Sequence, residues 1–151
     1  DIAANCDVFY IGGTKVGALF GEAVVIVNKQ LQEDFRYIIK QKGGMLAKGR
    51  LLGIQFLELF KDGLYFEISA HAIRMAMLLR DGLRKLGYRF FVESVTNQQF
   101  VIVPDTKLKE LDGRYGYEYQ HRYDEDHSVV RFCTSWATLE KNVLQLLEDM
   151  K

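Results

Sequence analysis

The chain has 151 residues, 48% of them apolar and 26% charged, which excludes a disordered polymer and leaves enough length for a sizeable core. Twenty basic and twenty acidic residues cancel, so no net field draws the chain to nucleic acid or to an anionic membrane. No apolar run reaches the length of a membrane span, no signal sequence opens the chain, and two cysteines make no disulfide framework, so a cytoplasmic setting is expected.

The first organised stretch runs from Asp7 to Val27. An apolar run, Val8 to Ile11, stops at Gly12-Gly13, and Thr14-Lys15 follow at once. Gly17, Ala18 and Gly21 then lead into a second apolar run, Ala23 to Val27. About eleven residues separate the runs, too few for a helical crossover, so the spacing predicts an antiparallel pair with Lys15 in the joining loop. Gly12 and Gly13 allow positive φ and a close approach to a bulky ligand. Phe9, Tyr10, Ile11, Val16, Leu19 and Phe20 flank Lys15, and a dry setting would lower its ammonium pKa enough for attack on a carbonyl. A surface hairpin with a solvated lysine fits the same residues.

A helical period begins at about Leu31, with Phe35, Ile38 and Ile39 on one face, and breaks at Gly43-Gly44. Lys40, Lys42, Lys48 and Arg50 form the densest basic cluster. It reads as a solvated helix end and turn, or as the place where Lys42, Lys48 or Arg50 reaches a phosphate. Leu51 to Phe60 is apolar on nearly every face, which predicts burial in a core or, better, in a subunit interface. Lys61-Asp62-Gly63 ends that helix. A long helix is predicted over Phe66 to Leu86, with Ile68, Ala72, Met75, Leu79, Leu83 and Leu86 as its stripe and Gly87 as its left-handed stop. His71 lies near the stripe and is expected to pack there.

Beyond Gly87 the pattern is that of a small α+β domain. Phe90 to Val92 and Phe100 to Val103 read as strands joined through Thr96-Asn97-Gln98, and Pro104 closes the second. Asp105 is expected to cap a short helix over 107–111. Tyr117 to Tyr123 and Ser128 to Cys133 read as strands on either side of the acidic turn Asp124-Glu125-Asp126. Thr138 is expected to cap a last helix bearing Leu139, Val143, Leu146, Leu147 and Met150 on one face. Two helices on one antiparallel sheet result, with the boundary between halves near Gly87. His121 and His127 flank the acidic turn, but their spacing fits no standard ligand pattern, so no metal is expected. Arg131 stands between apolar neighbours and needs a partner. Glu118, Asp124 or Glu125 can serve, as can a substrate carboxylate gripped bidentately by the planar guanidinium.

The segment DVFYIGGTKVGALFGEAVVI resembles the lysine segment of the low-specificity threonine aldolases, in the β-eliminating lyase group of fold-type I pyridoxal-phosphate enzymes. The similarity continues to Lys151. The resemblance implies an α/β fold of fold-type I, with 1–87 ending a large cofactor-binding domain and 88–151 forming a small α+β domain. It implies that Lys15 forms a Schiff base with pyridoxal phosphate, with Thr14 and Gly13 beside it at the phosphate. Many relatives have Asn where this chain has Val16. Arg131, on the strand ahead of Thr134-Ser135-Trp136, matches the residue that binds the amino-acid carboxylate. The implied reaction cleaves a β-hydroxy-α-amino acid to glycine and an aldehyde, in a homodimer or homotetramer with sites at a subunit interface. Asp1 is not an initiator Met, so the chain is expected to be the C-terminal part of such an enzyme and inactive by itself. The N-terminal part would supply the carboxylate facing the pyridine nitrogen and the group stacked on the ring. Transamination or β-elimination on the same scaffold, or a non-catalytic α+β dimerisation module, are the alternatives.

Overall fold

After a four-residue helix, Ile2–Asn5 (α1), the β-branched and aromatic run Val8–Gly12 forms strand β1 and Glu22–Ile26 forms β2. They pair antiparallel, Val8 opposite Ile26 and Gly12 opposite Glu22, as the short linker requires. The computed structural model describes residues 1–151 and divides them into two compact units, Asp1–Tyr65 and Phe66–Lys151.

The first unit continues through a 3-10 turn at Lys29–Gln32 into helix α2, Phe35–Gln41. The helix starts later than the periodicity suggested because Asp34 takes a left-handed conformation, φ 54°. Phe35 and Ile39 are half-buried, whereas Ile38 points outward. Helix α3, Arg50–Phe60, buries only Phe56 and Leu59; Leu51, Ile54, Leu57 and Phe60 are exposed in this chain. Asp62 and Gly63, both at positive φ, end it.

Helix α4, Leu64–Lys85, carries the predicted stripe. Ala72, Met75, Leu79 and Leu83 are buried, but Leu86 lies beyond the last helical residue and is exposed. Gly87, φ 89°, turns the chain so that the Tyr88 N–H donates to Leu83 O at 3.0 Å. The units part between Tyr65 and Phe66 rather than near Gly87, because this buried stripe belongs to the second unit's core.

That core lies on one face of a four-stranded antiparallel sheet formed by β3 (Arg89–Val92), β4 (Gln98–Pro104), β5 (Glu118–Arg122) and β6 (His127–Cys133), in the spatial order β3-β4-β6-β5. Val101 and Val103 of β4 with Val130 and Phe132 of β6 meet Met75, Leu79 and Leu83 of α4. Three helices cover this face, not two. Leu108 and Leu111 come from α5 (Asp105–Leu111), and Val143, Leu146 and Met150 come from α6 (Glu140–Asp149). Burying side chains of this size is worth about 1.5–3 kcal/mol each.

Two expected caps are not formed. Asp105 already lies inside α5; its carboxylate accepts from Ser128 Oγ at 2.7 Å and pairs with Arg122, and both donors hold its pKa below the usual carboxylate range, the serine foremost. Thr138 Oγ1 instead accepts from Ser135 N at 2.9 Å, so the N-cap of α6 is Leu139, whose side chain is exposed rather than packed. His71 packs as expected, its Nε2 2.9 Å from Thr138 O. Each unit carries one free, exposed thiol, Cys6 and Cys133. No helix is long and apolar enough to cross a membrane.

Candidate active site

Lys15 sits in the loop between β1 and β2, on a 3-10 turn spanning Thr14–Val16. The turn closes on one carbonyl, Gly13 O, which accepts from Val16 N at 3.0 Å and from Ala18 N at 2.9 Å. This geometry turns Val16 inward to full burial and leaves Thr14 and Lys15 exposed. The dry setting expected for the amine is therefore absent within this chain. Leu19 is 85% exposed, and Tyr10 and Phe20 also face outward, so they do not cover it.

The glycines act differently from the expectation. Gly13 has φ −119°, open to any residue; it is needed for space. A Cβ there would stand 2.6 Å from Ala18 Cβ and 3.0 Å from Phe56 Cζ. Positive φ falls instead at Gly17 and Gly21, and Gly21 packs so closely on Leu52 that a Cβ would collide with it.

Helix α3 is the bed on which this loop lies. Leu52, Gln55 and Phe56, at three- and four-residue spacing, present one face to it. The Leu19 N–H donates to Gln55 Oε1 at 2.6 Å, and Gln55 Nε2 donates to Phe20 O at 3.4 Å and to Leu51 O at 3.0 Å. At the start of the loop, the Tyr65 hydroxyl donates to Gly12 O at 2.9 Å, and partial burial pushes the Tyr65 phenol pKa up. Sequence reasoning missed Gln55, Phe56 and Tyr65. A glutamine on the same face of α3 as Leu52 and Phe56 was the available signal, since a polar group among apolar neighbours needs a partner.

Arg131 occupies β6 in the second unit, on the sheet face opposite the helices. Glu118 stands directly across on β5, yet Arg131 takes part in no ion pair among the described residues. Asp124 is engaged by His127 Nδ1 at 2.9 Å, which holds that carboxyl below its usual range. Arg131 Nη1 donates to Gln98 Oε1 at 3.1 Å, and its Nε is buried without a partner. The internal carboxylate partner is thus not used, and one guanidinium N–H stays unsatisfied at a cost of about 1–3 kcal/mol.

The remaining candidates are dispersed. Lys42, Lys48 and Arg50 are all exposed, on the segment from the end of α2 to the start of α3. His121 packs edge-on against Phe91 with ring centroids 4.7 Å apart. A cavity of 610 Å³ in the second unit, lined by Leu79, Tyr115, Phe132, Ser135, Asn142 and Leu146 among others, contains none of the predicted site residues.

No family model matches the chain. Over 149 residues, 98% of this chain, it is 32% identical to a low-specificity L-threonine aldolase from Pseudomonas sp. (strain NCIMB 10558) and 30% identical to one from Pseudomonas aeruginosa. A solved structure of a Leishmania major threonine aldolase superposes with a TM-score of 0.93 at 42% identity, again over 98% of this chain. The chain is homologous to the threonine aldolases. It spans 42% of the length of each Pseudomonas relative and 43% of the Leishmania chain, which fits the C-terminal part of such an enzyme. The fold-type I architecture implied by the lysine segment is that of this aldolase fold, in the part spanned.

Proposed function

We propose that this chain supplies the lysine and the arginine of a pyridoxal-phosphate-dependent aldolase. Its substrate would be a β-hydroxy-α-amino acid of the threonine kind, split into glycine and an aldehyde. The lysine loop carries this reading: an exposed amine on a turn fixed at both ends by backbone fit and hydrogen bonds, in a homologue of threonine aldolases.

The residues present suit the cofactor. Lys15 Nζ is accessible for a covalent bond to an aldehyde carbon, and the exposed Thr14 hydroxyl beside it suits a phosphate oxygen. Gly13 holds the turn that presents both, its carbonyl accepting from the N–H groups of Val16 and Ala18. Lys42, Lys48 and Arg50 offer cations to a phosphate, across a subunit boundary if the enzyme is a homodimer or homotetramer. Pyridoxal phosphate, when bound, supplies the electron sink for breaking the Cα–Cβ bond. Arg131 would hold the substrate carboxylate, since no carboxylate of the chain pairs with its guanidinium, whose Nη1 donates only to the neutral Gln98 Oε1. An N-terminal part of the same enzyme would complete the site.

Incubating the full-length protein with pyridoxal phosphate, reducing with borohydride and mapping the adduct tests this directly. The label is expected on Lys15, and a label on any other lysine overturns the assignment. A second reading, a non-catalytic docking module, draws on the exposed apolar residues of α3 and on the uncovered amine. No adduct on any lysine would select it.

A further inference from the structure

The loop between Gly17 and Phe20 has little apolar packing to hold it. Ala18 is buried, but Leu19 and Phe20 point outward, so burial does not fix where this part of the backbone lies. Between the Ala18 N–H bond to Gly13 O and the contact of Gly21 with Leu52, the backbone of Leu19 and Phe20 is held to α3 by one carboxamide. Gln55 accepts from Leu19 N–H at 2.6 Å, donates to Phe20 O at 3.4 Å, and is anchored on its own helix through Leu51 O at 3.0 Å. The effect reaches Lys15 because Ala18 N and Val16 N share the Gly13 carbonyl, making 13–18 one closed turn. A shift at Leu19 is passed through Ala18 to the turn that carries the amine.

We propose that Gln55 is the positioning residue for Lys15: its side-chain amide clamps the loop onto α3 and sets where the amine stands. The inference rests on the reading of Lys15 as the reactive amine. Gln55 needs both halves of its amide, an acceptor for the N–H and a donor for the two carbonyls. Leucine keeps the approximate volume and loses all three bonds; glutamate keeps the acceptor for Leu19 N–H and loses the donor. A displacement of about 1 Å at a reacting group can cost on the order of 10²-fold in rate, so a loosened loop should appear in turnover.

The test uses the full-length protein with Gln55→Leu and Gln55→Glu. In the cofactor-free protein, hydrogen exchange at the Leu19 amide is expected to quicken at least about tenfold in Gln55→Leu and much less in Gln55→Glu, with exchange in the second unit unchanged. In the loaded enzyme, kcat for the leucine variant is expected to fall about tenfold or more while KM moves less than about twofold, because Gln55 acts through the loop backbone. Unchanged exchange at Leu19 in Gln55→Leu overturns the clamp. So does equally fast exchange in both variants, since the Leu19 bond would then not be what holds the loop. Faster exchange with unchanged kcat leaves a structural bond only, and the positioning role is then wrong. Borohydride mapping on the unsubstituted protein separates these failures from failure of the Lys15 assignment, which would show as an adduct elsewhere while the exchange result stood.

Discussion

The two units of this chain solve different problems. Phe66–Lys151 has a continuous core in which Leu83, Leu111, Val101, Val103 and Val130 are fully enclosed. Asp1–Tyr65 encloses little beyond Val16, Ala18, Phe56 and Leu59, and its apolar side chains mostly face outward. The second unit is held by burial. The first is held by fit: a two-stranded ladder, which is marginal by itself, plus a loop seated on α3 by close glycine contacts and by Gln55 and Tyr65. A platform of this kind presents side chains, whereas a packed core protects them. The proposed amine belongs to the first and the proposed carboxylate clamp to the second, on the sheet face opposite its helices.

The largest expected effect that would break the contrast lies in the core. Leu83→Ala should cost about 3 kcal/mol, within the usual range of about 2–5 for a buried leucine. Urea unfolding followed by fluorescence of Trp136, the single tryptophan and a member of the second unit, measures it. A cost below about 1 kcal/mol would mean that this core is not what holds the unit. Arg131→Ala should behave oppositely. In the full-length protein kcat/KM for threonine is expected to fall about 10²-fold. Stability should stay level or rise by up to about 1 kcal/mol, because an unsatisfied buried donor is removed. Unchanged activity would return Arg131 to a purely structural role.

Smaller effects sharpen the account of the platform. Gly21→Ala should cost about 1–2 kcal/mol through its positive φ and its contact with Leu52, read as faster amide exchange over 13–21 with the second unit's unfolding midpoint unchanged. Leu57→Ala, at a side chain 66% exposed, should cost less than about 0.5 kcal/mol in this chain. A much larger loss in the full-length protein would show by differential unfolding that something covers that face of α3 there.

The sequence made local features readable. The short linker dictated the antiparallel hairpin and put Lys15 at its turn, and the alternation around Arg131 put it on a strand. The 3.6-residue stripe of α4 and its glycine stop also held, apart from Leu86. What stayed hidden depends on contacts distant in sequence. Gln55 lies 36 residues from Leu19, and neither residue type announces the other. Asp105 looks like a cap because its neighbours are helical, but Ser128 and Arg122, distant in sequence, donate to its carboxylate; Thr138 is diverted locally, its hydroxyl accepting from Ser135 N three residues earlier. The apolar neighbours of Lys15 in sequence suggest a dry pocket, but a 3-10 turn sends adjacent side chains in different directions, burying Val16 and exposing Lys15.

Cys6 and Cys133 give the chain a practical property. With one accessible sulfur on each unit, maleimide dyes can be attached at two natural positions, and energy transfer between them reports on the two halves without engineering. The same accessibility exposes both thiols to oxidative cross-linking between molecules, so a reductant belongs in every preparation.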